Sequence, residues 1–239
     1  MPAYFDYNVK GEHFSLFSTY HLLTLFIVLC LSIFLYLIRN FLKKKPRDSF
    51  FRYGLGILLL LSEASYQFWL LFFHKWTLKA ALPFQLSDLT VFLAAFMLFS
   101  KNRGLFSFLY FAGIGSSIQA MITPDLGLYS FPHYRYFEFY LSHGGVVLSC
   151  LFMIFTEKYR PSLFSLWMTI ILINLYGVVM FLINRKLQAN FLYIMEKPSN
   201  ASLLNYLGPW PWYIISLEAV MIVSFFILYL PFWVKQKTA

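Results

Sequence analysis

Residues 16–38 read LFSTYHLLTLFIVLCLSIFLYLI, and this stretch decides the class of the protein. It holds no Asp, Glu, Lys or Arg, and it is longer than the about 20 apolar residues that a helix needs to cross a membrane. The rest of the chain agrees, because 60% of its residues are hydrophobic and only 12% are charged. Soluble domains are about 25% charged. The sequence therefore predicts an integral membrane protein.

Six further segments have the length and apolar character of a membrane-spanning helix. They lie at residues 51–73, 82–100, 104–122, 137–156, 162–184 and 210–233. No long polar stretch remains that could form a second domain. We therefore predict an all-α membrane protein, a bundle of seven transmembrane helices that forms one domain over residues 1–239.

The basic residues predict how the bundle is oriented. Most of them lie in alternate connections, in RNFLKKKPRDSFFR, KNR, EKYRP and the C-terminal tail. Cytoplasmic loops carry such an excess of Lys and Arg. This places the N-terminus outside, the C-terminus in the cytoplasm and the two long connections, 123–136 and 185–209, outside. The formal net charge of +9 is then explained by cytoplasmic loops, and we expect no nucleic-acid partner.

Polar side chains inside the predicted helices share one depth. Such residues are costly in a bilayer, so they usually face the bundle interior or a wet cavity. With the predicted topology they occupy the outer halves of the helices, whereas the inner halves contain no charge, amide or His. This pattern predicts a polar chamber that opens outward. The residues expected to line it are Glu63, Gln67, Gln85, Ser87, Asp88, Gln119, Glu138, His143, Asn174 and Glu218, with Arg135 at its entrance.

Structural roles explain several of these residues equally well. A buried Glu63 or Glu218 could join helices as a neutral carboxylic acid, and amide side chains often form interhelical hydrogen bonds. Arg135 and Glu138 are three residues apart and could simply pair at a helix start. Gly144 and Gly145 leave room for either a ligand or a neighbouring helix. Neither cysteine lies in a metal or redox motif, so we expect no metal and no cofactor.

Three stretches resemble a known family. They are LPFQLSDLTVFLAAFML at 82–98, SSIQAMITPDLG at 116–127 continued by FPHYRYFEFYLSHGG at 131–145, and NFLYIMEKPSNASLLNYLGPWPWYII at 190–215. They look like the YwaF-type integral membrane proteins of bacilli and other Gram-positive bacteria. That family is grouped with eukaryotic seven-helix proteins resembling acyltransferases that move acyl chains onto ether lysophospholipids. The resemblance implies a multi-pass protein of the bacterial plasma membrane with phospholipids or lysophospholipids as partners.

The resemblance also implies a Cys nucleophile near the start of the third helix and a His on a later helix. His143 fits the His, but Pro83–Asp88 contains no Cys, and Ser87 takes its position. A thioester mechanism is therefore not expected. In its place, Ser87 or a bound water would attack an ester, with His143 as general base and Asp88 or Glu63 as its orienting acid. Gln85 or backbone N–H groups would steady the oxyanion.

Three functional hypotheses fit these observations. The first is a lipid acyltransferase or acyl hydrolase that acts near the outer leaflet. The second is a protein that binds or transports a small polar or amphiphilic ligand without catalysis, and the third is a membrane scaffold. A lateral, apolar-lined opening of the chamber would favour lipid chemistry, whereas a purely aqueous mouth would favour a soluble ligand.

Overall fold

The computed structural model describes residues 4–9, 13–198 and 203–237, and all regular structure within these ranges is helical. Six of the helices are long and apolar enough to cross a membrane: α1, α3, α6, α7, α8 and α9. Two short 3-10 turns, Phe191–Tyr193 and Leu203–Tyr206, precede the last helix. The α-helices are α1 (Thr19–Leu37), α2 (Arg39–Leu42), α3 (Arg47–Phe72), α4 (Leu78–Ala81), α5 (Leu86–Ser100), α6 (Arg103–Ile122), α7 (Tyr134–Phe155), α8 (Leu163–Leu187) and α9 (Trp212–Lys237).

The predicted span 82–100 forms a shorter helix than expected. Its helix α5 has 15 residues, which corresponds to about 22 Å at 1.5 Å per residue, less than the about 30 Å of the hydrocarbon core. Pro83 explains the late start, because the residue before a proline avoids the helical region. Leu82 is indeed extended, with φ −64° and ψ 130°, and Gln85 is extended as the N-cap. By length, six helices rather than seven qualify as membrane spans.

The core of the bundle is formed by α3, α5, α6 and α7, which pack against one another. Helix α1 lies on α7, whereas α8 and α9 lie on α6. Leu59, Met97 and Phe152 are completely buried in the apolar core. Exposed apolar side chains such as Leu29 on α1 and Leu175 on α8 form the outer surface, as expected of helices that face lipid.

Gly144 and Gly145 serve helix packing. A Cβ atom at Gly145 would lie 2.6 Å from Leu59 Cδ2 on α3, and one at Gly144 would lie 3.4 Å from Val28 Cγ2 on α1. The sequence left open whether these glycines make room for a ligand or a helix. In the structure, neighbouring helices fill the space.

A buried ionic network joins three helices at the end of the bundle that carries the basic loops. Asp48 Oδ2 lies 3.1 Å from Arg52 Nε and 3.0 Å from Lys101 Nζ, which also contacts Glu157 Oε1 at 2.5 Å. Arg52 additionally donates to the Leu98 carbonyl. Partial burial lowers the pKa of Lys101, but hydrogen bonds to the two carboxylates outweigh this and raise it above its usual value. The sequence analysis had treated these basic residues only as loop charges.

Candidate functional site

Three carboxylates and one guanidinium meet between α3, α5 and α7. We call Glu63, Asp88, Arg135 and Glu138 the acidic cluster. Arg135 donates a hydrogen bond to Glu138, and its guanidinium lies 3.9 Å from the centre of the Tyr66 ring. Asp88 interacts electrostatically with the other three members of the cluster. Glu63 and Glu138 are only 5% and 7% exposed. The cluster therefore holds more acidic than basic groups in a protected position.

Local sequence explains how these side chains converge. Arg135 and Glu138 are three residues apart on α7 and so share one helix face. Asp88 lies in the first turn of α5, where the helix dipole favours a negative charge. Glu63 is held by Gln67, whose Nε2 donates to Glu63 Oε1 and to the Ala81 carbonyl, both at 2.9 Å.

Ser87 and His143, the predicted nucleophile and base, are hydrogen-bonded to other groups. Ser87 Oγ donates to Asp88 Oδ1 at 3.4 Å. His143 Nδ1 lies 2.7 Å from the Phe139 carbonyl, and its ring stacks on Phe139 with 4.1 Å between centroids. Over the part of the chain that the structure describes, no hydrogen bond links His143 to Ser87 or Asp88. The catalytic assignment of these three residues stays a prediction.

The contact with Phe139 fixes the protonation pattern of His143. A carbonyl oxygen can only accept, so Nδ1 carries the proton and Nε2 presents a lone pair. His143 is buried and interacts electrostatically with Arg135 of the acidic cluster. The ring can therefore accept a proton only at Nε2.

Gln85 anchors the connection between α8 and α9. Its Oε1 accepts a hydrogen bond of 2.8 Å from the Leu192 backbone N–H. Asn184 fixes the same connection at Phe191, accepting from its N–H at 2.8 Å and donating to its carbonyl at 2.9 Å. Phe191 is buried and packs edge-on against Phe84. Gln85 therefore has a structural contact where an oxyanion role was predicted.

Tyr193 extends this connection toward the acidic cluster. Its hydroxyl donates to Asp125 Oδ2 at 2.7 Å and lies within electrostatic range of Asp88 and Tyr66. Burial, reinforced by the Asp125 carboxylate, raises the pKa of Tyr193 above its usual value. The connection thus folds over the end of α5 that carries Asp88.

The remaining predicted site residues lie apart from the cluster. Asn174 Nδ2 on α8 donates to Glu218 Oε1 on α9 and to the Ile170 carbonyl, both at 3.0 Å. The Gln119 side chain makes no hydrogen bond to any residue that the structure describes. No contact within the described ranges joins these three residues to the acidic cluster.

An apolar groove lies between α5, α6 and α8. Its volume is about 600 Å³, within the range of ligand pockets. It opens sideways, because Phe96 and Leu172 on its rim are 59% and 45% exposed. One end is formed by Asn102 and Gly104. The full lining is Leu86, Leu89, Leu93, Phe96, Asn102, Gly104, Leu105, Phe108, Leu172, Ile173 and Tyr176.

The other end of the groove lies at Leu86 and Tyr176, near the start of α5. Leu86 directly precedes Ser87 and Asp88, and Tyr176 interacts electrostatically with Asp88. The Tyr176 hydroxyl donates to the Phe84 carbonyl at 2.8 Å. Ser87 and Asp88 are not part of the groove lining, and a ligand lying in the groove would have one end at Tyr176, close to the first turn of α5.

The sequence analysis missed residues that border the cluster. Ser62 is buried, and its side chain interacts with the Glu138 carboxyl group. Tyr66 and Tyr176 are aromatic residues that the sequence did not single out. Tyr66 could have been predicted near the cluster, because it lies three residues after Glu63 on α3 and therefore shares its helix face.

Comparison with known proteins identifies a family. The model of the TMEM164 family matches residues 16–229. No curated protein and no solved structure matches the chain.

Proposed function

The chain belongs to the TMEM164 family of membrane proteins, and we propose that it binds the acyl chain of a membrane lipid and acts on its ester bond. The reaction would be acyl transfer or acyl hydrolysis near the outer leaflet. The observation that carries the proposal is the lateral apolar groove, one end of which lies at Leu86 and Tyr176, within one turn of α5 from Asp88. An apolar groove open to lipid, with ionisable groups close to one end, suits the acyl chain of an ester.

The apolar part of the groove suits an acyl chain. Leu86, Leu89 and Leu93 line one wall from α5, and Leu172 and Ile173 line the other from α8. These side chains offer no hydrogen bond, so they favour hydrocarbon over a polar ligand. An acyl chain can enter from the bilayer without crossing water, because the rim is exposed along the side of the bundle.

Groups for ester chemistry would come from α5 and α7, outside the groove lining. Ser87 Oγ or a water would attack the ester carbonyl, and His143 Nε2 would take the proton that is released. The same proton would pass to the glycerol oxygen that leaves. After attack by Ser87, the acyl-serine ester would pass its acyl group to the hydroxyl of a lysophospholipid or to water, whose proton would return through His143 to Ser87 Oγ. After attack by water, free fatty acid would be released directly. Attack by Ser87 requires that it exchange its contact with Asp88 for one with His143, a tightening that substrate binding commonly produces.

The test uses protein reconstituted in phosphatidylcholine vesicles that carry a labelled acyl chain, with and without a lysophospholipid acceptor. We expect label in the acceptor or as free fatty acid, and we expect His143→Ala and Ser87→Ala to abolish it. Ser116→Ala, which removes a hydroxyl on α6 away from the cluster, is the matched control. Equal turnover in the His143→Ala and control proteins would refute the enzymatic proposal.

A second candidate is lipid or amphiphile binding or transport without catalysis. It is favoured by the hydrogen bonds that engage Ser87 with Asp88 and His143 with Phe139, since these leave no nucleophile–base pair. In that case labelled phospholipid would bind the protein with no turnover. Binding would survive His143→Ala.

The proposed setting is the plasma membrane of a bacterium of the YwaF-type group, with the N-terminus outside. We propose that α5, with the extended residues that precede it, completes a seventh crossing. Reporter fusions placed after each helix would test this. Six crossings with both termini on one side would contradict it.

A further inference from the structure

A second cavity lies at the N-terminal end of α6, close to the end of the groove that Asn102 and Gly104 form. It has a volume of about 260 Å³ and is lined by Arg103, Phe106, Ser107, Lys158, Tyr159 and Arg160. We call it the basic pocket. Arg103 is the first residue of α6, and the other two cations belong to the connection between α7 and α8. Three of its six lining residues are therefore positively charged.

More positive charge surrounds the pocket. Lys158 interacts electrostatically with Lys43 and Arg39 from the α1–α3 region, as well as with Arg160. The charge of Lys43, followed by burial and the other basic residues, lowers the pKa of Lys158. Like charges gathered in this way repel one another, and an anion bound among them would remove that repulsion.

No acid in the described chain neutralises the pocket. Arg103, Lys158 and Arg160 form no ion pair with any described carboxylate. Glu157, next to Lys158 in sequence, is engaged by Lys101 at 2.5 Å. The positive charge of the pocket is thus left available for a ligand.

Aromatic rings hold the basic side chains in place. The Arg103 guanidinium lies 5.1 Å from the centre of the Tyr159 ring, and the Arg160 guanidinium lies 5.8 Å from that of Phe232. Tyr159 is itself fixed, because its hydroxyl donates to the Lys101 carbonyl at 2.7 Å. Guanidinium groups that are already oriented lose less conformational entropy when they bind phosphate.

We propose that the basic pocket binds a phosphate group, which Arg103 and Arg160 grip and Lys158 neutralises. Arginine side chains recognise phosphate oxygens through paired N–H donors. The volume accommodates the group together with several waters at about 30 Å³ each. The phosphate can belong to the headgroup of an anionic lipid or to a soluble phosphate compound, and the pocket is independent of the acyl groove.

The test measures binding by two probes. Full-length protein in detergent is titrated with inorganic phosphate, and protein in nanodiscs of phosphatidylcholine is compared with protein in nanodiscs that also contain phosphatidylglycerol. Retention of anionic lipid is read by native mass spectrometry. The variant Arg103→Gln/Arg160→Gln is compared with Lys44→Gln/Lys45→Gln. The control removes two positive charges from exposed positions at the end of the bundle that carries the basic loops.

We expect the pocket variant to weaken anion binding at least about tenfold, and the control variant to leave it nearly unchanged. Binding of phosphatidylglycerol alone would assign the site to lipid, and competition by inorganic phosphate would assign it to soluble phosphate. Equal losses in both variants, or no loss in either, would overturn the proposal. If the double variant fails to fold, the exposed single substitution Lys158→Gln gives the same comparison.

Discussion

Replacing Arg135 with Gln should strongly destabilise the bundle. The substitution removes the one basic group of the acidic cluster and leaves Glu63, Asp88 and Glu138 facing one another. The side chains of Arg135 and Glu138 are only 16% and 6% exposed, so water cannot replace the lost partner well. Removing one partner of a buried ion pair costs about 3–5 kcal/mol. We expect a loss of unfolding free energy in that range.

The assay starts from purified protein in mild detergent and measures its unfolding while SDS is titrated in as the denaturant. A double-mutant cycle with Glu138→Gln isolates the pair, and we expect Arg135→Gln/Glu138→Gln to recover about 1–3 kcal/mol relative to Arg135→Gln alone. Arg185→Gln, at an exposed position near the end of α8, should change stability by less than about 0.5 kcal/mol. A coupling energy near zero would refute the reasoning, because the two charges would then be independent.

Two further substitutions test how the site is held together. Gly145→Ala should destabilise the protein by about 1–3 kcal/mol by overpacking against Leu59, whereas Gly144→Ala should be milder because its Cβ meets ordinary contact distances; equal unfolding curves for the two variants would contradict this. Asn184→Ala should cost about 1–3 kcal/mol by leaving buried backbone groups of Phe191 unpaired, and it should speed cleavage by protease within residues 188–197. An unchanged cleavage rate would show that Asn184 does not hold this connection.

Hydropathy predicted the helices well because length and apolar character are local properties. The predicted span 137–156 became Tyr134–Phe155, and 162–184 became Leu163–Leu187. The exception, α5, depends on Pro83 and on the extended backbone before it, which a hydropathy window does not register. The orientation of the bundle in the membrane stays a prediction.

Four of the residues predicted to line a chamber, Glu63, Asp88, Arg135 and Glu138, interact electrostatically in the structure, as expected of residues that are costly in lipid and face the bundle interior. Their role in a functional site stays a prediction. The type and depth of Gln85 suggested a ligand contact, whereas its side chain accepts a hydrogen bond from the Leu192 backbone N–H. Residue type and depth did not reveal the groove, since its lining is ordinary Leu and Phe, and only the packing of α5 and α8 on α6 makes a cavity between them.

The position of a bound acyl chain tests the central claim most directly. Protein in phosphatidylcholine vesicles is irradiated with a phospholipid that carries a diazirine on its acyl chain, and the adducts are mapped by mass spectrometry. We predict that adducts concentrate on α5 and α8 around Leu89, Leu93 and Leu172, and that Leu93→Trp removes them by filling the groove. Phe92→Trp, at an exposed position of the same helix outside the groove lining, should leave them in place. Adducts spread evenly over the lipid-facing surfaces of α1 and α9, and unchanged by Leu93→Trp, would contradict the account.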